Sequence, residues 1–132
     1  MIAPETPLPT NTELAMLNVL WSRGPSTVRQ VAEALEPIRP VGYTTVLKML
    51  QLMHQKGIVT RDEGQRNHVY AAVAPQDQTQ QRLLDDLTAR AFGGSSARLV
   101  LRALDATPVS EEERARIRDL LASVADDHEE EG

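Results

Sequence analysis

The sequence contains no cysteine, which excludes a disulfide framework, a thiolate zinc site and a cysteine nucleophile. Aromatic residues make up only 3% of its 132 residues, so the predicted core is aliphatic and helical. No apolar run approaches the roughly 18 residues that a membrane-spanning helix needs, and the first residues lack the basic and apolar regions of a signal peptide. With this length, these absences predict a cytoplasmic chain of one or two small globular units.

Charge is distributed unevenly along the chain, whose formal net charge is -5. Residues 1–73 hold 7 Lys or Arg and 6 Asp or Glu, whereas residues 74–132 hold 7 Arg and 13 Asp or Glu. An acidic chain argues against a nucleic-acid partner, because duplex binding depends on neutralising phosphates. Both lysines, Lys48 and Lys56, lie in the first half, so the local charge there still permits a DNA-binding surface.

Two short helices are predicted after a proline-rich tail, over residues 10–23 and from Ser26 or Thr27 to about Leu35. Each opens with a capping box, and Gly24-Pro25 separates them. The capping pairs are Thr10 with Glu13 and Thr27 with Gln30. The apolar stripes are Leu14, Leu17, Leu20 and Trp21 in the first helix, and Val28, Val31, Ala32 and Leu35 in the second.

A third helix is predicted over residues 43–56, after Pro37 and Pro40 interrupt the chain and before Gly57 ends the helix. Its core-facing side holds Val46, Leu50 and Met53, and its opposite side holds Thr44, Lys48, Gln51 and Gln55. The outer side carries donors and acceptors but only one charge, which suits base edges and phosphates. The alternative is that this side is polar only because it faces solvent, with no role in DNA binding. Thr44 could likewise serve only to cap the helix N-terminus.

The sequence period changes to two over residues 58–73, which predicts a two-stranded hairpin with its turn at residues 62–65. The faces expected in the second strand are Val69 with Ala71, and His68 with Tyr70. Arg61 and Arg66 lie near the turn, where a wing would contact DNA phosphates. Alternatively, Arg66 could serve only as a solvent-exposed charge that keeps the hairpin surface hydrated.

Three further helices are predicted in the acidic half, over residues 75–92, 95–104 and 108–124. The apolar surface of these three helices is larger than so short a segment can bury by itself, so we expect the helices to form a homodimer interface. Folding back onto the N-terminal half is the alternative. The expected interface residues are Leu83, Leu84, Leu87, Phe92, Leu99, Val100, Leu104, Ile117, Leu120, Leu121 and Val124.

Three helices followed by a hairpin are typical of a winged helix-turn-helix, whose third helix enters the major groove while the wing contacts the DNA backbone. The predicted fold is mainly α with a small β-hairpin: an N-terminal winged helix-turn-helix and a C-terminal helical dimerisation domain. The expected segments are a flexible tail at 1–9, a DNA-binding domain at 10–74, a dimerisation domain at 75–125 and a disordered acidic tail at 126–132. A protein-interaction module that does not read DNA is the rival interpretation.

Several stretches over about residues 10–124 resemble the BlaI/MecI family of penicillinase repressors. They are TELAMLNVLWSRG, TVRQVAEAL, GYTTVLKMLQLMHQKGIV, EGQRNHVY, AFGGSSARLVLRAL and VSEEERARIRDLL. The resemblance implies a homodimeric transcriptional repressor that binds a two-half-site operator, with Thr44, Thr45 and Lys48 in the major groove and Arg66 in the wing. The full set of expected DNA contacts is Thr44, Thr45, Lys48, Gln51, Gln55, Arg61 and Arg66.

The resemblance also implies control of beta-lactamase, cell-wall-stress or related genes, and a membrane sensor metallopeptidase as the partner that inactivates the repressor. Two positions depart from the family pattern. Leu52 stands where a basic residue is common, so a backbone contact would be lost. Arg102-Ala103 stands where the best-known relatives carry a cleaved Asn-Phe bond, so inactivation by proteolysis there stays open. The Cys-rich metal-sensing tail of copper-responsive relatives is excluded by the absence of cysteine.

Neither an enzyme nor a metal or cofactor site is predicted. The three histidines, at positions 54, 68 and 128, do not form the H-E-x-x-H or H-x-x-x-H spacing of a metal site. The acidic run at residues 111–113 fits a helix N-terminus, where the macrodipole favours negative charge. Gly93-Gly94 lacks the strand and the Lys-Ser/Thr of a phosphate loop and is read as a helix stop.

Overall fold

The computed structural model describes the backbone of residues 6–131 and the side chains of residues 6–124. Its elements are α1 (Asn11–Arg23), β1 (Ser26–Thr27), α2 (Val28–Leu35), α3 (Tyr43–Lys56), β2 (Val59–Asp62), β3 (Val69–Ala72), α4 (Gln76–Ala91), α5 (Ser96–Ala106) and α6 (Glu111–Glu131). The chain divides into two compact units, Met1–Asp85 and Asp86–Gly132, so the division falls inside α4. The first is a winged helix-turn-helix, called the winged-helix unit below. The prediction of a mainly α chain with a small β wing is confirmed.

The first two helices begin at the capping boxes that the sequence predicts. Thr10 Oγ1 accepts a hydrogen bond from the Glu13 backbone N–H at 3.2 Å, and Glu13 Oε1 accepts one from the Thr10 N–H at 2.9 Å. Thr27 and Gln30 repeat this arrangement, at the same two distances, at the start of α2. Each box satisfies N–H groups that a helix start leaves unpaired, so local sequence fixes both helix boundaries.

The core of the winged-helix unit is aliphatic apart from one tyrosine. Its buried cluster consists of Met16, Leu17, Val19, Leu20, Val28, Val31, Leu35, Val46, Leu50, Met53, Ile58, Val59 and Tyr70. Leu14, which was expected in the stripe of α1, is only half-buried and lies outside the cluster. Met16 and Val19 are buried instead, because the buried face of α1 is rotated towards them. Trp21 is half-buried and packs against the cluster.

The predicted hairpin is confirmed as β2 and β3, and it belongs to a three-stranded antiparallel sheet in the order β1-β3-β2, whose short strand β1 was not predicted. In β1, Ser26 pairs with Tyr70 and Thr27 pairs with Val69. The sequence pattern grouped Tyr70 with His68, but Tyr70 is buried while His68 is exposed. Tyr70 is covered because β3 is the central strand and α1 packs against it.

The second unit begins with the end of α4. Gly93 and Gly94 follow that helix with φ of 59° and 84°, a left-handed conformation that glycine adopts without strain. The side chain of Ser95 then caps α5 by accepting a hydrogen bond from the Arg98 backbone N–H at 3.2 Å. The predicted helix stop and restart are both present.

The last helix, α6, opens with the predicted capping box of Ser110 and Glu113, both of whose hydrogen bonds measure 3.1 Å. It continues to Glu131, so the backbone is helical over residues 126–131, where the sequence predicted a disordered acidic tail. That run contains neither glycine nor proline, the residues that end helices most strongly. Val124, expected near the end of this helix, therefore lies well inside it.

Candidate nucleic-acid interface

Helix α3 presents a polar face because its apolar residues hold the opposite face in the core. Val46, Leu50 and Met53 are each 0% exposed. The predicted outer residues Thr44, Lys48, Gln51 and Gln55 are all exposed, and so is Thr45 at the edge of the same face. The structure thus brings together all five α3 residues that the sequence predicted as DNA contacts. This set is called the polar face of α3 below.

Glycine occupies both cap positions of α3, so the threonine hydroxyls of the polar face do not cap the helix. Gly42 is the N-cap and provides no side-chain hydrogen bond, so the alternative role of Thr44 as a cap is not realised. Gly57 ends the helix in the left-handed region with φ of 81°, as predicted. Thr44 in the first turn is therefore available to an external partner.

The two lysines of the chain lie in different environments. Lys56, at the end of α3, donates to Glu13 Oε2 at 2.7 Å. Burial alone would raise the pKa of the Glu13 carboxyl, but the hydrogen bonds from Lys56 and from the Thr10 N–H outweigh burial and lower that pKa. Lys48 is exposed and takes part in none of the ion pairs found over residues 6–124. Lys48 is therefore the cation that the polar face of α3 presents.

The two arginines predicted for the wing also differ. Arg61 in β2 pairs with Glu63 at 2.5 Å, and its side chain is only 24% exposed. Hydrogen bonding to the Tyr70 hydroxyl, and then to Glu63, raises the pKa of the Arg61 guanidinium above its usual value. Arg66 lies in the exposed connection between β2 and β3. Because the carboxylate of Glu63 neutralises the guanidinium of Arg61, Arg66 is the stronger candidate for a phosphate contact.

A cleft of about 300 Å³ separates the start of α2, the start of α3 and the wing. Its rim carries Arg29, Arg66 and His68, and its lining contains no acidic residue. The Arg29 guanidinium carbon lies 5.9 Å from the centre of the Tyr43 ring, a distance at which a cation interacts with the ring face. The cleft is called the basic cleft below.

Arg29 was missed by the sequence analysis, which treated the second helix only as packing. Its position immediately after the capped start of that helix was the available signal, because the first helix of a helix-turn-helix pair crosses the DNA backbone and helix N-termini favour phosphates. Neither Arg29 nor the basic cleft can be assembled from periodicity alone, since the cleft joins three elements that are distant in sequence.

Features of other functional classes are missing from the part of the chain that the structure describes. No group of three or more His, Asp or Glu side chains converges there as a metal site would require. Nor does any described helix combine the length and the apolar character needed to span a membrane.

Three helices, a wing and a polar face on the third helix whose one charge is a lysine define a winged helix-turn-helix protein. Within this class, the sequence profile of the Penicillinase repressor family matches residues 9–123. The chain belongs to that family. The resemblance found in the sequence is thereby confirmed. The family is one of transcriptional repressors rather than enzymes, which agrees with the expectation that this chain is not an enzyme.

The chain is 40% identical over 90 residues to the transcriptional regulator BlaI of Mycobacterium tuberculosis, in strains CDC 1551 and H37Rv alike. The match covers 67% of this chain and 65% of the regulator, which is just under two thirds of the relative's length. Two solved structures are also similar. The PcaV transcriptional regulator from Streptomyces coelicolor has a TM-score of 0.47 and 21% identity, covering 95% of this chain and 79% of that one. AbfR of Staphylococcus epidermidis has a TM-score of 0.44 and 16% identity, covering 91% and 74%.

Proposed function

We propose that the chain is a homodimeric transcriptional repressor that binds a two-half-site DNA operator, with α3 in the major groove and the wing against the phosphates. The observation that carries this proposal is the polar face of α3. It is exposed along the helix, it holds hydroxyls and amides that match base edges, and Lys48 is its one cation.

The side chains of this face divide the recognition of DNA between them. Gln51 and Gln55 can each pair with the N6 and N7 edge of an adenine, while Thr44 and Thr45 can contact a phosphate or a thymine methyl. Lys48 can bind a phosphate or a guanine edge. Base contacts would supply the selectivity and Lys48 would supply part of the salt-dependent affinity.

The basic cleft would hold the DNA backbone beside the groove. Arg29 at the start of α2 and Arg66 on the wing both line it, and a phosphate bound there would meet positive charge from both. Contact with the Tyr43 ring limits the conformations of the Arg29 side chain, so less entropy is lost when it binds. Arg61 would contribute less, since Glu63 already neutralises it.

Dimerisation through the second half is supported by its lack of a core. Among residues 86–124 no large apolar side chain is buried, and several apolar side chains of α4, α5 and α6 are exposed. Those exposed are Leu84, Leu87, Val100, Leu101, Leu104, Leu120, Leu121 and Val124, while Leu83, Phe92, Leu99 and Ile117 are half-buried. A second copy offers the same apolar faces, and two-fold pairing would cover both sets and align two recognition helices on two half-sites.

Regulation of beta-lactamase, cell-wall-stress or related genes in the cytoplasm is the biological role that family membership favours. A membrane metallopeptidase would be the sensor that relieves repression. Arg102-Ala103, in place of the cleaved bond of the best-known relatives, lies within α5, whose backbone hydrogen bonds shield it from a protease until the helix opens.

The test is a selection of duplexes from a randomised DNA pool by the full chain, followed by anisotropy titrations at two salt concentrations. The proposal predicts that the selected duplex is a pseudo-palindrome and binds more tightly than a scrambled duplex, with affinity falling as salt rises. If no duplex is enriched, or if the selected and scrambled duplexes bind equally at both salt concentrations, the chain is instead a protein-interaction module on a winged-helix scaffold.

A further inference from the structure

The residues that precede α1 lie against the start of α4. The Arg82 guanidinium, in the second turn of α4, donates a hydrogen bond to the backbone carbonyl of Thr6. Pro7 and Pro9 then line, with Leu17, Trp21 and Thr79, a cavity of only about 10 Å³. A space of that size holds at most one water, so these groups are closely packed.

The start of α4 is also fixed from the side of α1. The Trp21 indole N–H donates to the Ala74 carbonyl at 2.9 Å, just before α4 begins. Ala74 and Thr79 are both buried. The first turns of α4 are therefore held between α1 and residues 6–9, entirely within the winged-helix unit.

Residues 6–9 are suited to this position by their composition. Proline has a fixed φ and favours an extended chain, so the Pro-Leu-Pro run loses less conformational entropy than other sequences when it lies along a surface. The charged hydrogen bond from Arg82 then holds Thr6, the residue immediately before this run. A conformationally restricted segment with one charged hydrogen bond can therefore hold the start of α4 in place.

We propose that residues 6–9 and Arg82 form a strap that fixes the direction in which α4 leaves the winged-helix unit, and thereby determines the spacing between operator half-sites. This inference rests on the proposed function. Helix α4 starts in the winged-helix unit and continues without a break past Asp85 to Ala91. Its far part carries residues of the proposed dimer interface, so its direction relates the recognition helix to the two-fold axis.

The size of the effect follows from the length of α4. Its 16 residues span about 24 Å, and a tilt of about 10° at the first turn would displace the far end by about 4 Å. Successive base pairs are about 3.4 Å apart along the duplex. Each added base pair also rotates one half-site by about 35° about the duplex axis. A tilt and a twist of α4 together are therefore needed to shift the preferred spacing by one base pair, and a strap that prevents both makes the spacing specific.

The experiment compares wild type with Arg82→Ala on three kinds of DNA: the duplex that wild type selects, the same duplex with one or two base pairs inserted between its halves, and a single half-site. Arg90→Ala is the matched control, because Arg90 also lies on α4 but pairs with Asp86 of the same helix at 2.8 Å. The intrinsic fluorescence of Trp21, the only tryptophan in the chain, reports whether the strap has been released.

We expect Arg82→Ala to shift Trp21 emission to the red and to lower affinity for the selected duplex about tenfold, the low end of the range for one lost hydrogen bond from a charged group. Discrimination against the longer spacings should fall by the same factor, while half-site affinity stays at the wild-type value. Arg90→Ala should match wild type in every measurement. A Pro7→Gly, Pro9→Gly double variant, which loosens the strap without touching α4, should reproduce the Arg82→Ala result.

The strap is refuted if Trp21 emission shifts but the spacing preference does not change. It is equally refuted if neither variant shifts the emission, or if half-site and two-site affinities fall together, which would indicate a general loss of the winged helix. A wild-type chain that selects no duplex would refute the proposed function itself, an outcome recognised before any strap variant is compared.

Discussion

The ion pair between Glu13 and Lys56 joins the first turn of α1 to the last turn of α3, so removing the charge of Glu13 should weaken the attachment of the end of α3 to α1. The Glu13 side chain is only 3% exposed, whereas that of Lys56 is 46% exposed. Glu13→Gln keeps the shape and an oxygen that can still accept from the Thr10 N–H, but it removes the negative charge facing Lys56. The amide nitrogen of the variant would face the Lys56 ammonium, donor against donor, so the variant removes the contact with Lys56 while the capping box can remain.

The expected cost is about 1.5 kcal/mol, at the low end of the roughly 1.5–3 kcal/mol typical of hydrogen bonds to charged groups, because water can solvate the half-exposed Lys56. For a unit of this size such a loss lowers Tm by about 6–12 °C. Since the folded-state pKa of Glu13 is lowered from its usual 4.5, the ionised carboxylate stabilises the fold above about pH 4.5. That contribution is lost as the pH falls through the lower, folded-state pKa.

Thermal unfolding followed by circular dichroism at neutral pH and at several acidic pH values measures both effects. The difference in Tm between wild type and Glu13→Gln should be constant near neutrality and should shrink below about pH 4.5. Glu33→Gln, a change at an exposed glutamate of α2, is the control and should leave Tm unchanged. Equal Tm values for wild type and Glu13→Gln at pH 7, or a difference that grows in acid, would contradict the reasoning.

Four further variants test the interface and the dimer. Arg66→Ala should weaken binding to selected and scrambled duplexes by the same factor in anisotropy titrations, and a loss restricted to the selected duplex would mean base contact instead. Gln51→Ala should relax preference at one operator position by about 1–3 kcal/mol in a repeated selection, whereas an unchanged consensus would remove it from base reading. Leu52 is 39% exposed beside the polar face of α3, so Leu52→Arg should add a phosphate contact and steepen the salt dependence by about one, and an unchanged slope would place it off the DNA. Leu120 is 65% exposed and should lie in the dimer interface. In sedimentation Leu120→Asp should therefore be a monomer, and it should bind two-site DNA weakly. A dimer with wild-type DNA affinity would exclude α6 from the interface.

Local signals in the sequence were sufficient for the helices of the winged-helix unit. The capping boxes at Thr10 and Thr27, and the glycine after Lys56, mark boundaries that are set by hydrogen bonds within a few residues. The two faces of α3 likewise follow from its period, because each side chain's direction is fixed by the helix itself. These features were predicted correctly.

Features that depend on distant partners were not predicted. The strand β1 consists of two residues with no alternation, and it exists only because Ser26 pairs with Tyr70 far along the chain. The burial of Tyr70 was not predicted for the same reason, since a four-residue strand does not indicate which of its sides the helices will cover. The pairing of Arg61 with Glu63, the basic cleft and the contact of Arg82 with Thr6 are tertiary in origin, and no period in the sequence encodes them.

The salt dependence of DNA binding by Lys48→Ala tests most directly whether the polar face of α3 binds DNA. Anisotropy titrations with the selected duplex over a range of salt concentrations give the slope of log affinity against log salt. Arg39→Ala, which removes an exposed cation that lines neither the polar face nor the basic cleft, is the control for net charge. If Lys48 meets a phosphate, its removal should lower the slope by about one while Arg39→Ala leaves the slope unchanged. Slopes and affinities for Lys48→Ala that equal those of wild type, or an equal fall in both variants, would contradict the placement of α3 in the major groove.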